Sequence, residues 1–266
     1  MKKLSLFSLF FFFFISVTAF PMLEKEMVVK KSIVNRLAQA SDILPREYLE
    51  AVFANPLLRV DSVMIRDLKK RTSYLSTFLD SLFSPWSVAR GKWFLEQYKD
   101  TLRNIRDRFG ISPEMTTAML RIESDLGENL GKYIAMNAYY TLYTKVYYSS
   151  RRRALVLREL RALLEFCYKT FPHPSFPYFF RSSWAGAIGY CQFMPSNFGL
   201  AVDGDADDVI NIAESIPDAL ASAANFLEAN GYRRRPQIAV LRYIGGSMRT
   251  SGWYVLAVFK YARLVK

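Results

Sequence analysis

The chain has 266 residues, enough for one sizeable helical domain with a small extension. Its formal charge is +12, which in an exported protein suits an anionic polymer. No recognised nucleic-acid-binding motif accompanies that charge, so nucleic acid is set aside as a partner, and two Cys with a single His argue against a zinc site.

Lys2 and Lys3 precede an apolar, Phe-rich stretch from Leu4 to Phe20, and Val17-Thr18-Ala19 offers a small-residue cleavage site. Residues 1–19 therefore read as a secretory signal peptide, with an uncleaved membrane anchor as the rival; the stretch is short for a spanning helix. Cleavage would remove two lysines and lower the charge from +12 to +10. The expected location is exported, periplasmic or bound to the cell envelope. No Cys follows the apolar stretch, so no lipoprotein site is expected.

Hydrophobic periodicity predicts helices over 25–40, 45–54, 60–70, 73–82, 86–109, 113–125, 133–144, 150–168, 194–199, 215–230, 236–243 and 251–264. Nothing alternates with period two, and no internal repeat is visible, so the fold class is all-α. Arg151–Arg153 and Arg233–Arg235 are the main basic clusters. Cys167 and Cys191 read equally as a disulfide, which export permits, or as two buried thiols.

The segment 121–127 (RIESDLG) closes one of these helices. Ser112 is a favoured N-cap, Pro113 suits the first helical position, and Gly110 ends what precedes. Glu114 then sits where the helix dipole favours negative charge. Met115, Met119 and Ile122 form the core-facing stripe, and Glu123 stands four residues after Met119, beside that stripe. Desolvation there raises a carboxyl pKa, which prepares a general acid. Gly127 is expected to end the helix and admit close backbone approach. An isolated Glu so placed more often borders the core and reaches water; a second segment turns the reading.

That segment is 182–198. Gly186, Ala187 and Gly189 suit tight turns and close approach to a ligand. Ser183, Tyr190 and Gln192 offer donors and acceptors for sugar hydroxyls and N-acetyl groups. Trp184 and Phe193 offer faces for pyranose rings, or belong to the core. A third segment, 203–209 (DGDADDV), carries carboxylates at relative positions 1, 3 and 5 and a backbone carbonyl at 7, the front half of a calcium loop. Asp208 stands where such loops have Gly, and Glu214 stands at position 12. The other reading is an acidic turn that begins the next helix.

The two site segments together resemble the lytic murein transglycosylases of the membrane-bound lytic transglycosylase B family (glycoside hydrolase family 103 type). The resemblance also runs through 44–56 (LPREYLEAVFANP), 91–100 (GKWFLEQYKD), 109–114 (FGISPE), 185–195 (AGAIGYCQFMP) and 219–232 (ALASAANFLEANGY), in family order and over nearly the whole chain after the leader. It implies a lysozyme-like fold, with an N-terminal helical region over 20–84 and a catalytic domain over 85–266. It implies Glu123 as catalytic acid and base, and Ser183 and Gln192 as the residues that hold the N-acetyl and reacting hydroxyl groups, with Tyr190 a substrate contact on its own hydroxyl chemistry. Arg152 and Arg153 match an Arg pair lining the groove, and Tyr243 matches a tyrosine near the catalytic glutamate. Phe226 stands where a groove tyrosine is usual, and Ile244 where Asn often follows Tyr243. The family's EF-hand-like loop implies a structural Ca²⁺ or Na⁺ held by Asp203, Asp205, Asp207, the Val209 carbonyl and Asp218, with no cofactor needed for the chemistry.

The implied reaction cuts the bond between N-acetylmuramic acid and N-acetylglucosamine and leaves a 1,6-anhydromuramyl end. Peptidoglycan strands are the expected partner, the N-terminus a possible route to the membrane, and the chain a monomer. A lysozyme-type hydrolase is the first alternative, and needs a second carboxylate roughly 5–9.5 Å from the first. Asp125 lies about 200° further round the helix and points away; Glu128 lies beyond Gly127. A non-catalytic glycan-binding scaffold is the second alternative.

Overall fold

The structure is a computed structural model that describes residues 7–70 and 75–266. The first six residues of the expected leader and the start of the helix expected over 73–82 lie outside them. Among the described residues no helix is long and apolar enough to cross a membrane.

In chain order the helices are α1 (Phe7–Ala40), α2 (Arg46–Ala54), α3 (Ser62–Lys69), α4 (Leu75–Leu82), α5 (Pro85–Gln97), α6 (Lys99–Phe109), α7 (Pro113–Ser124), α8 (Ala135–Thr141), α9 (Ser150–Thr170), α10 (Ile216–Ala229), α11 (Pro236–Ile244) and α12 (Met248–Val265). Local chemistry explains many of the ends. Ser84 and Ser112 accept from Ser87 and Met115 N–H at the starts of α5 and α7, each followed by Pro. A Ser or Thr cap of this kind is worth about 1 kcal/mol. Gly110 ends α6 at φ 71, a left-handed conformation that costs glycine little.

Three elements depart from the periodic reading. The helix expected over 86–109 is two, because Tyr98 leaves helical geometry (φ −109, ψ 23) and serves both ends; its ring packs on Phe94. The helix expected over 133–144 opens instead as a strand, β1 (Tyr133–Ile134), paired antiparallel with β2 (Arg181–Ser182), and closes in a π-helical turn, Leu142–Val146. Helix α7 ends at Ser124, before Gly127: Asp125 takes the left-handed conformation, and Leu126 N–H reaches back to Leu120 carbonyl.

Two apolar cores divide the molecule. Ile33, Leu37, Leu49 and Val52 of the N-terminal helices pack with Tyr139, Leu160 and Leu163 of α8 and α9. Leu82 of α4 joins the second core instead, with Leu102, Met119, Leu220, Val258 and Tyr261. Each fully buried side chain of this size contributes about 1.5–3 kcal/mol. Helix α7 runs through the second core, packed by α5, α6, α10 and α12. It is buried from Met115 through Arg121, a far wider face than a three-residue stripe. Cys167 belongs to one core and Cys191 to the other, and both are buried free thiols, so the disulfide alternative falls.

Candidate active site

Glu123 lies in the last turn of α7, and its carboxyl meets the hydroxyl of Tyr254 from α12, which donates to Oε1. Burial pushes the carboxyl up to about 7, and the tyrosine bond opposes that rise in part. The negative end of the helix dipole acts in the same direction as burial. Tyr254 is itself fully buried and also touches Met119 Sδ. Its pKa is raised well above normal, first by burial and then by the Glu123 charge. Glu123 therefore exchanges its proton close to neutral pH, while the tyrosine stays protonated. Glu123 keeps part of its surface open, as a group that must reach a substrate requires.

The end of α7 is held from behind. Asp125 and Leu126 both have positive φ, 56° and 59°, which costs a non-glycine residue on the order of 1 kcal/mol each. The cost is offset by an ionic knot. Asp125 Oδ1 accepts from Arg90 at 2.7 Å and pairs with Arg121 at 3.1 Å, while Arg90 also donates to the Asp125 carbonyl. Arg121 is 5% exposed and gives its Nε to the Ser87 hydroxyl. Asp125 is thus committed to two guanidinium groups, in keeping with its expected direction away from the site. Glu128 points outward, its side chain 74% exposed.

The 182–198 segment crosses the seam between the two cores. Ile188 belongs to the first, Cys191 and Phe193 to the second. The tight backbone is as expected, with Gly186 at φ 90 and Gly189 at φ 77, but protein rather than ligand fills the space. A Cβ on Gly186 would stand 2.2 Å from the Tyr139 ring, and one on Gly189 2.3 Å from the Ile212 carbonyl. Ser183 Oγ accepts from Ala187 N–H across this turn. Gln192 takes φ 49, and its Nε2 donates to the Gly189 carbonyl at 2.8 Å and towards Leu130 carbonyl at 3.5 Å. Both of those bonds use the amide hydrogens of Gln192. The Tyr190 ring lies against Gly127, where a Cβ would come within 2.6 Å of it. Phe193 is core; Trp184 packs beside the first core, half-buried.

Tyr243 donates to the Cys191 carbonyl at 2.7 Å, and its pKa is raised well above normal, by burial first and then by Cys191, Glu123 and Tyr254. It senses the Glu123 charge without being its direct partner. Phe226, 5% exposed, supports it from below at 4.8 Å between ring centres. A cavity of about 390 Å³ opens beside Tyr243, lined also by Tyr139, Tyr147, Glu159, Met194 and Ile244. Glu159 there is not a free acid: its carboxylate accepts from Ser196 N–H and Oγ and from Arg158.

The arginine pair is divided. Arg152 lies over the Tyr147 ring at the edge of this cavity. Arg153 donates to the Tyr143 and Tyr147 carbonyls and lines a separate cavity beside α1, with Lys25, Glu26 and Tyr140. Its donors close the end of the π-helical turn.

In the acidic loop, carboxylate oxygens of Asp203, Asp205 and Asp218 lie within 4.8 Å of one another. Asp207 turns back to Val209 N–H, and Glu214 accepts from Asn211 Nδ2; neither joins the cluster. Asp208, at the usual Gly position, takes φ 65, so the turn forms without glycine. Asp203 is held low against burial by the Ala206, Asp208 and Asp205 amides, and Asp205 is raised, by desolvation and then by the Asp207, Asp218 and Asp203 charges. Three converging oxygens of this hardness fit Ca²⁺ or Na⁺.

Tyr254 is the site residue that sequence reading missed. A tyrosine buried on an apolar helix face needs a partner for its hydroxyl, and that need was the available signal.

The chain belongs to the transglycosylase SLT domain family, whose model matches residues 29–248. It is 32% identical over 159 residues to membrane-bound lytic murein transglycosylase B of Escherichia coli strain K12, a match covering 59% of this chain and 42% of that protein. The chain thus matches less than half the length of this curated relative. Its fold is that of the lytic transglycosylases. Soluble lytic transglycosylase SltB1 of Pseudomonas aeruginosa superposes with a TM-score of 0.74 at 19% identity, over 88% of this chain and 98% of that one. Lytic transglycosylase SLT35 of Escherichia coli, solved in complex with calcium, superposes with a TM-score of 0.71 at 20% identity, over 89% and 92%.

Proposed function

We propose that this chain is a lytic murein transglycosylase acting on the β-1,4 bond between N-acetylmuramic acid and N-acetylglucosamine. The observation that carries the reading is one buried acid whose neighbouring carboxylates, among the described residues, are engaged by other side chains. Glu123 has its carboxyl raised to about 7, while Asp125 is tied to Arg90 and Arg121 and Glu159 to Ser196 and Arg158. Protonated Glu123 donates to the glycosidic oxygen, and the N-acetyl carbonyl of the muramic acid assists from the opposite face. The ionised Glu123 then takes the proton of the C6 hydroxyl as that oxygen bonds to C1. No water is consumed, and one carboxyl serves both steps by exchanging roles. Gln192 Oε1 and the Ser183 hydroxyl hold the N-acetyl arm and the reacting hydroxyl; Tyr190, Tyr243 and Arg152 border the groove, with Phe226 behind it.

The acidic loop serves as a structural cation site. Asp203, Asp205 and Asp218 supply carboxylates, and Ca²⁺ or Na⁺ would tie the loop to the start of α10 without entering the chemistry. Residues 1–19 direct export, and the protein works on peptidoglycan in the cell envelope.

Digestion of purified sacculi in ¹⁸O-water tests the reading. Released muropeptides should carry unlabelled 1,6-anhydromuramic ends, each lighter by one water than its hydrolysed counterpart. Mainly hydrated, labelled ends would convert the assignment to a hydrolase. No release by folded protein that still binds sacculi would make it a scaffold.

A further inference from the structure

Helix α5 carries a feature that the active site does not use. Trp86 and Trp93 are 65% and 62% exposed, an unusual state for the largest apolar side chain. They stand seven residues apart, which on a helix means about 20° of rotation and about 10 Å of rise. The two indoles therefore project from one face. Ala89, between them, is small and exposed. Lys92 flanks it, and Arg90 lies over one side of Trp86 at 4.7 Å.

We infer that this strip is a second glycan-binding surface, which holds a β-1,4-linked amino-sugar strand outside the catalytic groove. The inference rests on the murein reading of the active site. Successive rings of such a strand are turned over, so the same face recurs at every second ring, and the helix rise of about 10 Å between the two Trp positions is close to that repeat. The C–H face of a pyranose packs on the electron-rich face of an aromatic ring. The exposed flanking cation Lys92 matches the lactyl and stem-peptide carboxylates of the polymer, whereas Arg90 is already paired with Asp125. The strip is also continuous with the site: Arg90 contacts Trp86 and, through its two nitrogens, the side chain and carbonyl of Asp125, two residues after Glu123. A strand held on both surfaces gains avidity that a short fragment cannot.

The test uses the Glu123→Gln protein, which should bind without cutting, with peptide-stripped murein strands of polymer length and with a tetrasaccharide as probes. Adding Trp86→Ala and Trp93→Ala should weaken polymer binding by roughly tenfold, taking each stacked ring at about threefold. Tetrasaccharide affinity should fall far less, because a ligand that short occupies one surface at a time and its binding in the groove is untouched. Trp86→Phe with Trp93→Phe, which keeps two aromatic faces, should recover most of the polymer affinity. Unchanged polymer affinity in the alanine protein overturns the inference, and so does an equal loss on the tetrasaccharide. Loss of anionic-vesicle binding or of self-association, with glycan affinity intact, overturns it as well. If the parent Glu123→Gln protein binds neither probe, the murein reading itself fails, an outcome distinct from failure of the strip alone.

Discussion

Tyr254 donates its hydroxyl hydrogen to Glu123 Oε1, joining the middle of α12 to the last turn of α7. The bond favours the ionised carboxyl, while burial favours the protonated one and prevails. The tyrosine thus limits how far the acid is raised.

Tyr254→Phe should therefore move the Glu123 pKa further up from about 7. A hydrogen bond to a charged group is worth about 1.5–3 kcal/mol, or roughly one to two pH units. Activity that needs protonated Glu123 falls as pH rises through its pKa. The alkaline limb of kcat/KM should consequently shift to higher pH by about one unit in the variant. An unmoved limb would show that the tyrosine does not tune the acid.

Glu123→Gln should cut turnover steeply and also remove a pH dependence of stability. The folded pKa, about 7, lies above the 4.5 of a free glutamate. Its favourable contribution is complete below pH 4.5 and is lost as pH rises through 7. Glutamine has no such loss, so the variant should be the more stable protein above pH 7, by up to about 3 kcal/mol. Turnover should fall by at least about 10²–10⁴-fold, because one group serves both steps. Denaturant melts at pH 5 and 8 read the first effect, and muropeptide release reads the second. Equal stability gaps at the two pH values would mean that the carboxyl is not desolvated.

The sequence made the caps legible because capping is local. Ser112, Pro113 and Gly110 specify the ends around α7 with their nearest neighbours alone. Glu123 was legible beside Met119 for the same reason. What escaped depends on distant partners. Tyr98 breaks a helix without Gly or Pro, and Tyr133–Ile134 becomes a strand only because Arg181–Ser182 lies alongside. Gly186 and Gly189 were rightly read as tight, but Tyr139 and Ile212, which press on them, arrive from elsewhere in the chain. Tyr254 gains its role only where α12 crosses α7.

Asp125→Asn should cost stability and leave the reaction type unchanged. The substitution removes the anion between Arg90 and Arg121 and leaves the buried Arg121 guanidinium with Ser87 and the Tyr261 ring but no counter-charge among those partners. Breaking a fully buried pair costs about 3–5 kcal/mol, and the partial exposure of Asp125 reduces this to about 2 kcal/mol. Activity should fall through loosening of the α7 end, while the products stay anhydro. A switch in product chemistry would instead make Asp125 a participant.

The acidic loop yields the last prediction. Asp203 is engaged by three backbone amides of its own loop, and Asp218 accepts from Gly204 and Asn211 N–H, so changing either would disturb the turn directly. Asp205 is the cleaner probe. Its carboxyl is exposed and raised by desolvation and three neighbouring carboxylates, a crowding that a cation would relieve. A ligand that binds only the folded state stabilises it by about 2.7 kcal/mol at a hundredfold excess over Kd. Ca²⁺ should therefore raise the Tm of the parent protein, and chelator should reverse the rise. Asp205→Asn should melt at the same temperature with Ca²⁺ or chelator, and at low ionic strength slightly above the chelated parent, because one repelling charge is gone. A parent Tm indifferent to Ca²⁺, Na⁺ and chelator would leave the loop as an acidic turn that only starts α10.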